Sequence, residues 1–227
     1  MAEDRQAPAA ESAPKTPSLT RGLARNTLFN LLGWIWPIGL SLVSLPYILS
    51  KLGTDAYGIF AITSVVAGYL GFLNGPVAMG NVRFLAEAYA HENWADFRRT
   101  AYVGIAFNGA LSMLGGLVMF LASGWLAGDV FAISAPQIRS SITAFRLAAV
   151  SFVLNGANGA VQSIPTAMRR YDILNLGNLS LGSLNTVLIV LALWRGWGLQ
   201  GALAAQVFSS ASGLALFIII AWRLLRG

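Results

Sequence analysis

The sequence contains no cysteine and a single histidine, His91. Without cysteine the chain can form neither a disulfide nor a thiolate nucleophile. A metal site would need further histidines or a cluster of carboxylates, and the sequence offers neither, so we expect no metal and no cofactor. General acid–base catalysis requires a positioned pair of titratable groups, which is also missing. We therefore expect that the protein is not an enzyme.

Charged residues are scarce. They make up 11% of the chain, against 56% hydrophobic residues, whereas a soluble domain carries about 25% charged residues. Too few charges are present to cover a surface that faces water. The net charge of +6 could indicate a nucleic-acid partner, but the cations flank apolar stretches instead of forming one patch. We expect no nucleic-acid partner.

The apolar residues lie in long uninterrupted stretches. Each is longer than the ~20 residues with which a helix crosses a ~30 Å hydrocarbon core. Open strands cannot satisfy their backbone hydrogen bonds in lipid, so the stretches are predicted to be helices. The predicted fold is an all-α, polytopic membrane protein with six transmembrane helices, at residues 23–49, 56–80, 101–127, 142–164, 173–194 and 199–222.

The basic residues alternate between the gaps. Only three lie in the first, third and fifth gaps: Lys51, Arg139 and Arg195. Eleven lie in the other gaps and at the two ends: Arg5, Lys15, Arg21, Arg25, Arg83, Arg98, Arg99, Arg169, Arg170, Arg223 and Arg226. Cytoplasmic loops are enriched in Lys and Arg, so both termini are predicted to be cytoplasmic. Anionic lipid headgroups would reinforce this orientation.

Two segments outside the apolar stretches have distinct compositions. Residues 1–20 contain much Ala, Pro, Glu and Ser and few bulky apolar residues, which predicts a disordered cytoplasmic tail before a membrane domain at residues 21–227. The first apolar stretch is too long and too late for a cleaved signal peptide, so we expect an uncleaved anchor. The gap at residues 81–100 mixes aromatic and charged residues. It is either an amphipathic, interfacial helical hairpin or a simple connector.

Polar and small residues recur at three- and four-residue steps within the stretches, which places them on single helix faces. Such faces either pack tightly against other helices or line a water-filled cavity. We expect packing for the small-residue stripes, which are Ser64, Gly68, Gly71 and Gly75 in the second stretch and Gly104, Asn108, Ser112 and Gly115 in the third. We expect a cavity for the asparagines of the first and fifth stretches, Asn30, Asn178 and Asn185. Pro37 should kink the first helix and act as a hinge.

Arg146 is the only formal charge well inside an apolar stretch. A central arginine is costly in lipid, and such residues usually face a cavity or a partner. We expect Arg146 to face a cavity; the alternative is that its long side chain snorkels towards the outer headgroups. No acid lies deep in a stretch, so a carboxylate-based ion relay has no candidate in this sequence.

Residues 45–87 resemble the polysaccharide flippase branch of the multidrug/oligosaccharidyl-lipid/polysaccharide exporter superfamily. The residues that carry the likeness are Pro46, the run Leu52-Gly53-Thr54-Asp55-Ala56-Tyr57-Gly58, Asn74-Gly75, and Arg83-Phe84-Leu85-Ala86-Glu87. In this run Gly53 can take a positive φ at the end of the first helix, and Asp55 can cap the second. Asn74 stands where the family often has an acid.

The resemblance implies the six-helix N-terminal lobe of a two-lobe, alternating-access transporter in the bacterial inner membrane. It implies that a lipid-linked oligosaccharide is flipped and that a second lobe, or a second copy of the chain, closes the cavity. Membrane lipids are the other expected partner. Arg146, Arg25 and Arg83 are then candidate contacts of the substrate's pyrophosphate, and Asn30, Asn178 and Asn185 are candidate contacts of its sugars.

Other functions remain open. The chain could be a non-transporting scaffold or accessory subunit of an envelope polysaccharide complex, in which case the polar faces should be fully packed. A multidrug antiporter of the same superfamily is a weaker alternative, because it normally relies on a membrane carboxylate. A membrane glycosyltransferase is weaker still, since the predicted outer loops offer only the isolated Asp55 and Asp129.

Overall fold

Long apolar stretches dictate helices, and the computed structural model of the chain consists of helices and short turns. It describes the backbone of residues 17–226 and the side chains of residues 35–72 and 74–225. Across that part of the chain no strand is present. The elements are α1 (Pro17–Ala90), α2 (Trp94–Leu121), α3 (Ser123–Trp125), a π-helical turn (Leu126–Val130), α4 (Ile138–Ala167), α5 (Tyr171–Trp194) and α6 (Gly198–Arg226).

These bounds differ from the predicted ones mainly at the ends. α1 begins at Pro17, inside the predicted tail of residues 1–20, and residues 1–16 lie outside the described part of the chain. The gap at residues 81–100, for which a helical hairpin and a simple connector were both open, is helical: α1 continues to Ala90, and α2 begins after a short turn, at Trp94. The amide of Asn93 caps α2 by accepting a hydrogen bond from the backbone N–H of Asp96 (3.2 Å), as short polar side chains do at helix starts.

α1 comprises the first two predicted helices, joined at Gly53. Gly53 (φ 74°, ψ 169°) is the residue of α1 that departs from helical dihedrals, and Pro37 lies within the helix without such a break. Glycine alone adopts this backbone region readily, so the predicted positive φ at Gly53 is confirmed. We call residues 17–52 the first arm of α1 and residues 54–90 the second arm.

Contacts along the first arm show its direction. The indole Nε1 of Trp36 donates to the hydroxyl of Ser183 (2.9 Å), and Ile48 packs with Ile189 and Leu193. The first arm and α5 therefore run parallel to each other.

The second arm follows α4 in the same way. Gln137, just before α4, donates to the Asp55 carboxylate (3.1 Å), and Asn81 donates to the hydroxyl of Ser163 near the end of α4 (2.8 Å). Because the short turn after α4 reverses the chain into α5, the two arms run in opposite directions. We call the end of the bundle that holds Gly53 and Gln137 the Gly53 end, and the opposite end the Ala90 end.

α4 is the central helix and contacts α1, α2 and α6. Towards the Ala90 end, Leu85, Phe97, Ile164 and Phe217 are fully buried in one apolar core. Towards the Gly53 end, a second core includes Met119 and Phe145. These cores fix the helices around the polar region between them.

The outward faces are apolar. Val43, Phe72 and Met79 are more than three-quarters exposed, which a water-soluble protein rarely tolerates over a large area. Five helical segments of the described chain are long and apolar enough to cross a membrane, and the first of them, Ile35–Phe72, includes Gly53. The protein is therefore an all-α, polytopic membrane protein, as predicted. Six crossings, with the two arms of α1 counted separately, remain a prediction.

Candidate functional site

The first cavity lies between the second arm of α1, α2, α4 and α6, in the middle of the bundle. Its volume is about 400 Å³. Small and amide side chains line it: Ser64, Gly68, Gly71, Asn74, Gly75, Asn108, Ser151, Asn155, Gly156, Gly159 and Gln206, together with Phe152 and four alanines. A lining of this kind leaves room because most of its side chains are short.

The glycines of the second arm explain why the cavity is open. A Cβ added at Gly68, Gly71 or Gly75 would meet no atom within 4 Å. These glycines therefore face empty space, and the prediction that this stripe packs against another helix is wrong. The physical reason is that α2 approaches the arm on a different face, through Asn74 and Asn81.

The stripe of α2 does pack, as predicted. A Cβ at Gly104 would overlap the amide of Asn81, and one at Gly115 would lie 3.0 Å from the Phe152 ring. Asn108 and Ser112 are buried. On α4, a Cβ at Gly156 would overlap the Ser112 hydroxyl, so α2 and α4 touch through their smallest residues.

The second cavity lies between α4, α5 and α6 and has a volume of about 250 Å³. Most of its lining residues are polar, namely Asn155, Asn158, Asn178, Asn185, Gln206, Ser209 and Ser210, and the others are Leu181, Gly182 and Gly213. Asn155 and Gln206 line both cavities. The two cavities are thus neighbouring parts of one polar region, which we call the amide cavity.

Several polar atoms of the amide cavity are buried without a hydrogen-bond partner. They are Asn158 Oδ1, Asn185 Oδ1 and Ser151 Oγ. Buried polar atoms in proteins nearly always have a partner, so such atoms mark a place for water or a ligand that donates hydrogen bonds. The amides of Gln162 and Asn178 donate to each other (3.3 and 3.4 Å) at the edge of this region.

The amide cavity has no ionisable side chain in its lining. Nor does any group of three His, Cys, Asp or Glu side chains in the described chain come close enough to hold a metal ion. Amides both donate and accept hydrogen bonds. This region is therefore suited to neutral groups that do the same, such as hydroxyls.

Two of the predicted site residues belong to this region. Asn178 and Asn185 line the second cavity together with Gly182, as their shared helix face predicts. Asn30 and Arg25 fall outside the residues whose side chains are described. Arg83 is exposed, near the Ala90 end of α1, and lies away from both cavities.

Arg146 also lies outside the amide cavity, contrary to its predicted orientation. Its side chain is exposed, its guanidinium lies 5.1 Å from the centre of the Phe120 ring, and its Nε–H donates to the Ser123 hydroxyl (3.4 Å). Phe120 is near the end of α2 and Ser123 begins α3, both towards the Gly53 end of the bundle. The side chain thus contacts groups on the side of the Gly53 end, the direction in which the snorkelling alternative would take it.

The polar residues of α4 were not singled out from the sequence. Asn155, Asn158 and Gln162 follow at steps of three and four, so they share one face of a helix. The run Asn155-Gly156-Ala157-Asn158-Gly159, in the middle of an apolar stretch, was the signal that could have identified them.

Known proteins offer no guide to this region. Comparison of the chain with protein-family models, with curated proteins and with solved structures finds no match.

Proposed function

We propose that the chain is one lobe of a transporter that flips a lipid-linked oligosaccharide across the bacterial inner membrane by alternating access. The observation that carries the proposal is the amide cavity: an uncharged space between the helices, open on one side, whose lining includes amide and hydroxyl groups among small residues. Polar groups inside a membrane protein are costly and usually functional. The Gly53 turn and the likeness of residues 45–87 to polysaccharide flippases support the same assignment.

The chemistry of the cavity fits the glycan part of such a substrate. Sugar hydroxyls both donate and accept hydrogen bonds, and the partnerless oxygens of Asn158 and Asn185 would accept from them. A substrate that moves through must not be held by strong charges, and uncharged amides meet this condition. The pyrophosphate would then contact arginines outside the cavity, with Arg83 and Arg25 at the cytoplasmic mouth and Arg146 towards the outer leaflet.

The amide cavity also supports the proposal of a partner. Asn155, Gly159, Asn178 and Gly182 are exposed in this chain, and an amide that faces hydrocarbon loses its hydrogen bonds to water. A second lobe, or a second copy of the chain, would cover this face and close the cavity. The distribution of basic residues further favours cytoplasmic termini.

Glycan export tests the proposal in a strain that depends on this protein. Gln206→Leu and Asn185→Leu keep the side-chain size but remove the hydrogen-bonding groups, and we expect both to reduce export strongly. Ile218→Met, on the exposed apolar face of α6, is the matched control and should export normally. Export that is unchanged in both leucine variants, at normal protein level, would refute the proposal.

Thiol labelling separates transport from a purely structural role. The chain has no cysteine, so single cysteines can be placed at Asn155, Asn178 and Asn185 without other changes. A water-soluble maleimide should label these positions in intact membranes if the amide cavity is filled with water. In a non-transporting scaffold, packed partners would cover the polar faces, and all three cysteines would stay unlabelled. A control cysteine at Val118, in the apolar face of α2, should stay unlabelled in both cases.

A further inference from the structure

A separate groove lies at the Gly53 end, between α5 and α6. Its volume is about 480 Å³, and it shares no lining residue with the amide cavity. The lining is apolar apart from one arginine, Arg195, and includes Leu188, Leu191, Trp194, Trp197 and Phe208. Four of these, Leu191, Trp194, Trp197 and Phe208, are exposed, so the groove opens on the outer surface of the bundle.

The groove is short enough to lie within one membrane leaflet. Its lining on α6 runs from Gly201 to Phe208, which at 1.5 Å per residue is about 10 Å, and Trp197 lies in the turn just before α6. Half of a ~30 Å hydrocarbon core is about 15 Å. Trp194 and Trp197 stand at the mouth, where tryptophan marks the boundary between headgroups and hydrocarbon.

Arg195 gives the mouth a positive charge. It ends α5, its guanidinium lies 5.9 Å from the centre of the Trp197 ring, and it is exposed. Among the described side chains, Arg170 forms an ion pair with Asp172, whereas Arg195 forms no ion pair. No acidic residue lines the groove. A guanidinium held at this level is suited to a phosphate, which it can bind through two parallel hydrogen bonds.

From this arrangement we infer that the groove is a binding site for one anionic phospholipid. One acyl chain lies in the groove along α6, and the phosphate group contacts Arg195 at the mouth. The small residues Gly201 and Ala204 form the floor. A Cβ at Gly201 would overlap the Cβ of Trp197, so the glycine allows Trp197 to lie close to α6 at the mouth.

Lipid retention by the purified full-length protein tests the inference. The protein is held in detergent with dioleoylphosphatidylglycerol or dioleoylphosphatidylcholine at equal concentration, and native mass spectrometry counts the bound lipids. We expect one retained phosphatidylglycerol and clearly weaker retention of phosphatidylcholine. Arg195→Gln should weaken retention of phosphatidylglycerol about fivefold, which corresponds to ~1 kcal/mol for one arginine near a membrane surface.

Arg139→Gln is the matched control. Arg139 is an exposed arginine at the same end of the bundle, in the first turn of α4, and it does not line the groove. This variant should retain phosphatidylglycerol like the unchanged protein. Equal retention by the Arg195 and Arg139 variants, or equal retention of the two lipids by the unchanged protein, would overturn the inference.

Filling the groove tests the acyl-chain contact independently of charge. Ala204→Trp should abolish retention of both lipids, whereas Ile218→Trp, on the exposed face of the same helix, should not. If Ala204→Trp instead dissociates an oligomer and leaves lipid retention unchanged, the groove is a contact between copies of the chain. Binding of inorganic phosphate that depends on Arg195, in a protein that retains neither lipid, would assign Arg195 to a free anion. Either result would contradict a lipid site.

Discussion

A close helix contact, between Gly156 of α4 and Ser112 of α2, gives the sharpest prediction of stability. A Cβ at position 156 would overlap the Ser112 hydroxyl and would lie 3.3 Å from the Asn74 Nδ2. Gly156→Ala must therefore move α2 away from α4 or turn the Ser112 side chain. The Asn74 amide, which donates to the Ser112 hydroxyl at 3.2 Å, would lose its partner in either case.

The magnitude follows from three terms. Overpacking costs about 1–3 kcal/mol, and the lost hydrogen bond costs about 0.5–1.5 kcal/mol. Alanine in place of glycine in a helix returns roughly 0.5–1 kcal/mol. The free energy of unfolding should therefore fall by about 2 kcal/mol.

Gly159→Ala is the control for helix propensity. Gly159 lies one turn further along α4, and a Cβ there would meet no atom within 4 Å. This variant should be as stable as the unchanged protein, or more stable by roughly 0.5–1 kcal/mol. Unfolding by sodium dodecyl sulfate in mixed micelles, followed by tryptophan fluorescence, measures both variants.

A second substitution locates the clash. Ser112→Gly removes the hydroxyl and the Cβ that the new methyl group would overlap, so the double variant with Gly156→Ala should recover part of the lost stability. If Gly156→Ala and Gly159→Ala unfold at the same detergent fraction, α2 and α4 do not meet at this contact, and the account of the packing is wrong.

Three further predictions concern single features. Gly53→Ala should lower the free energy of unfolding by about 1–3 kcal/mol, because Gly53 has a positive φ (74°), whereas Gly58→Ala should change it little; the same detergent titration compares them. Arg146→Ala should lower the free energy of unfolding by about 0.5–1 kcal/mol through loss of the contact with the Phe120 ring. A loss of glycan export in this variant, at normal protein level, would support the proposed role of Arg146 at the pyrophosphate. The amides of Asn178 and Gln162 should couple by about 0.6 kcal/mol in a double-mutant cycle with alanine, and a coupling near zero would show that this pair is not formed in the membrane.

The positions of the helices could be predicted because the length of an apolar stretch and the thickness of a bilayer are local quantities. The Gly53 turn was predictable for a similar reason, since glycine between two apolar stretches permits a backbone that other residues avoid. The polar face of α5 was visible in the spacing of Asn178 and Asn185, and both line the amide cavity.

The sequence did not reveal which face of each helix contacts which neighbouring helix. Gly71 and Gly104 belong to stripes with the same spacing, yet one faces open space and the other touches Asn81. The difference depends on where α2 crosses α1, which no single stripe encodes. The orientation of Arg146 likewise depends on Phe120 and Ser123, which are distant in the sequence and lie at the end of another helix.

Asn155 and Gln206 stand in the wall common to both cavities, and this has a consequence for binding. A molecule in one cavity that hydrogen-bonds to the Gln206 amide also fixes the orientation of that amide. It thereby determines whether the NH₂ donor or the C=O acceptor faces the other cavity. If both cavities bind ligands, occupancy of one would change the affinity of the other, and by linkage the effect would be the same in both directions. The orientation of one side-chain amide would in this way couple binding in two cavities that have no charged residue in their linings.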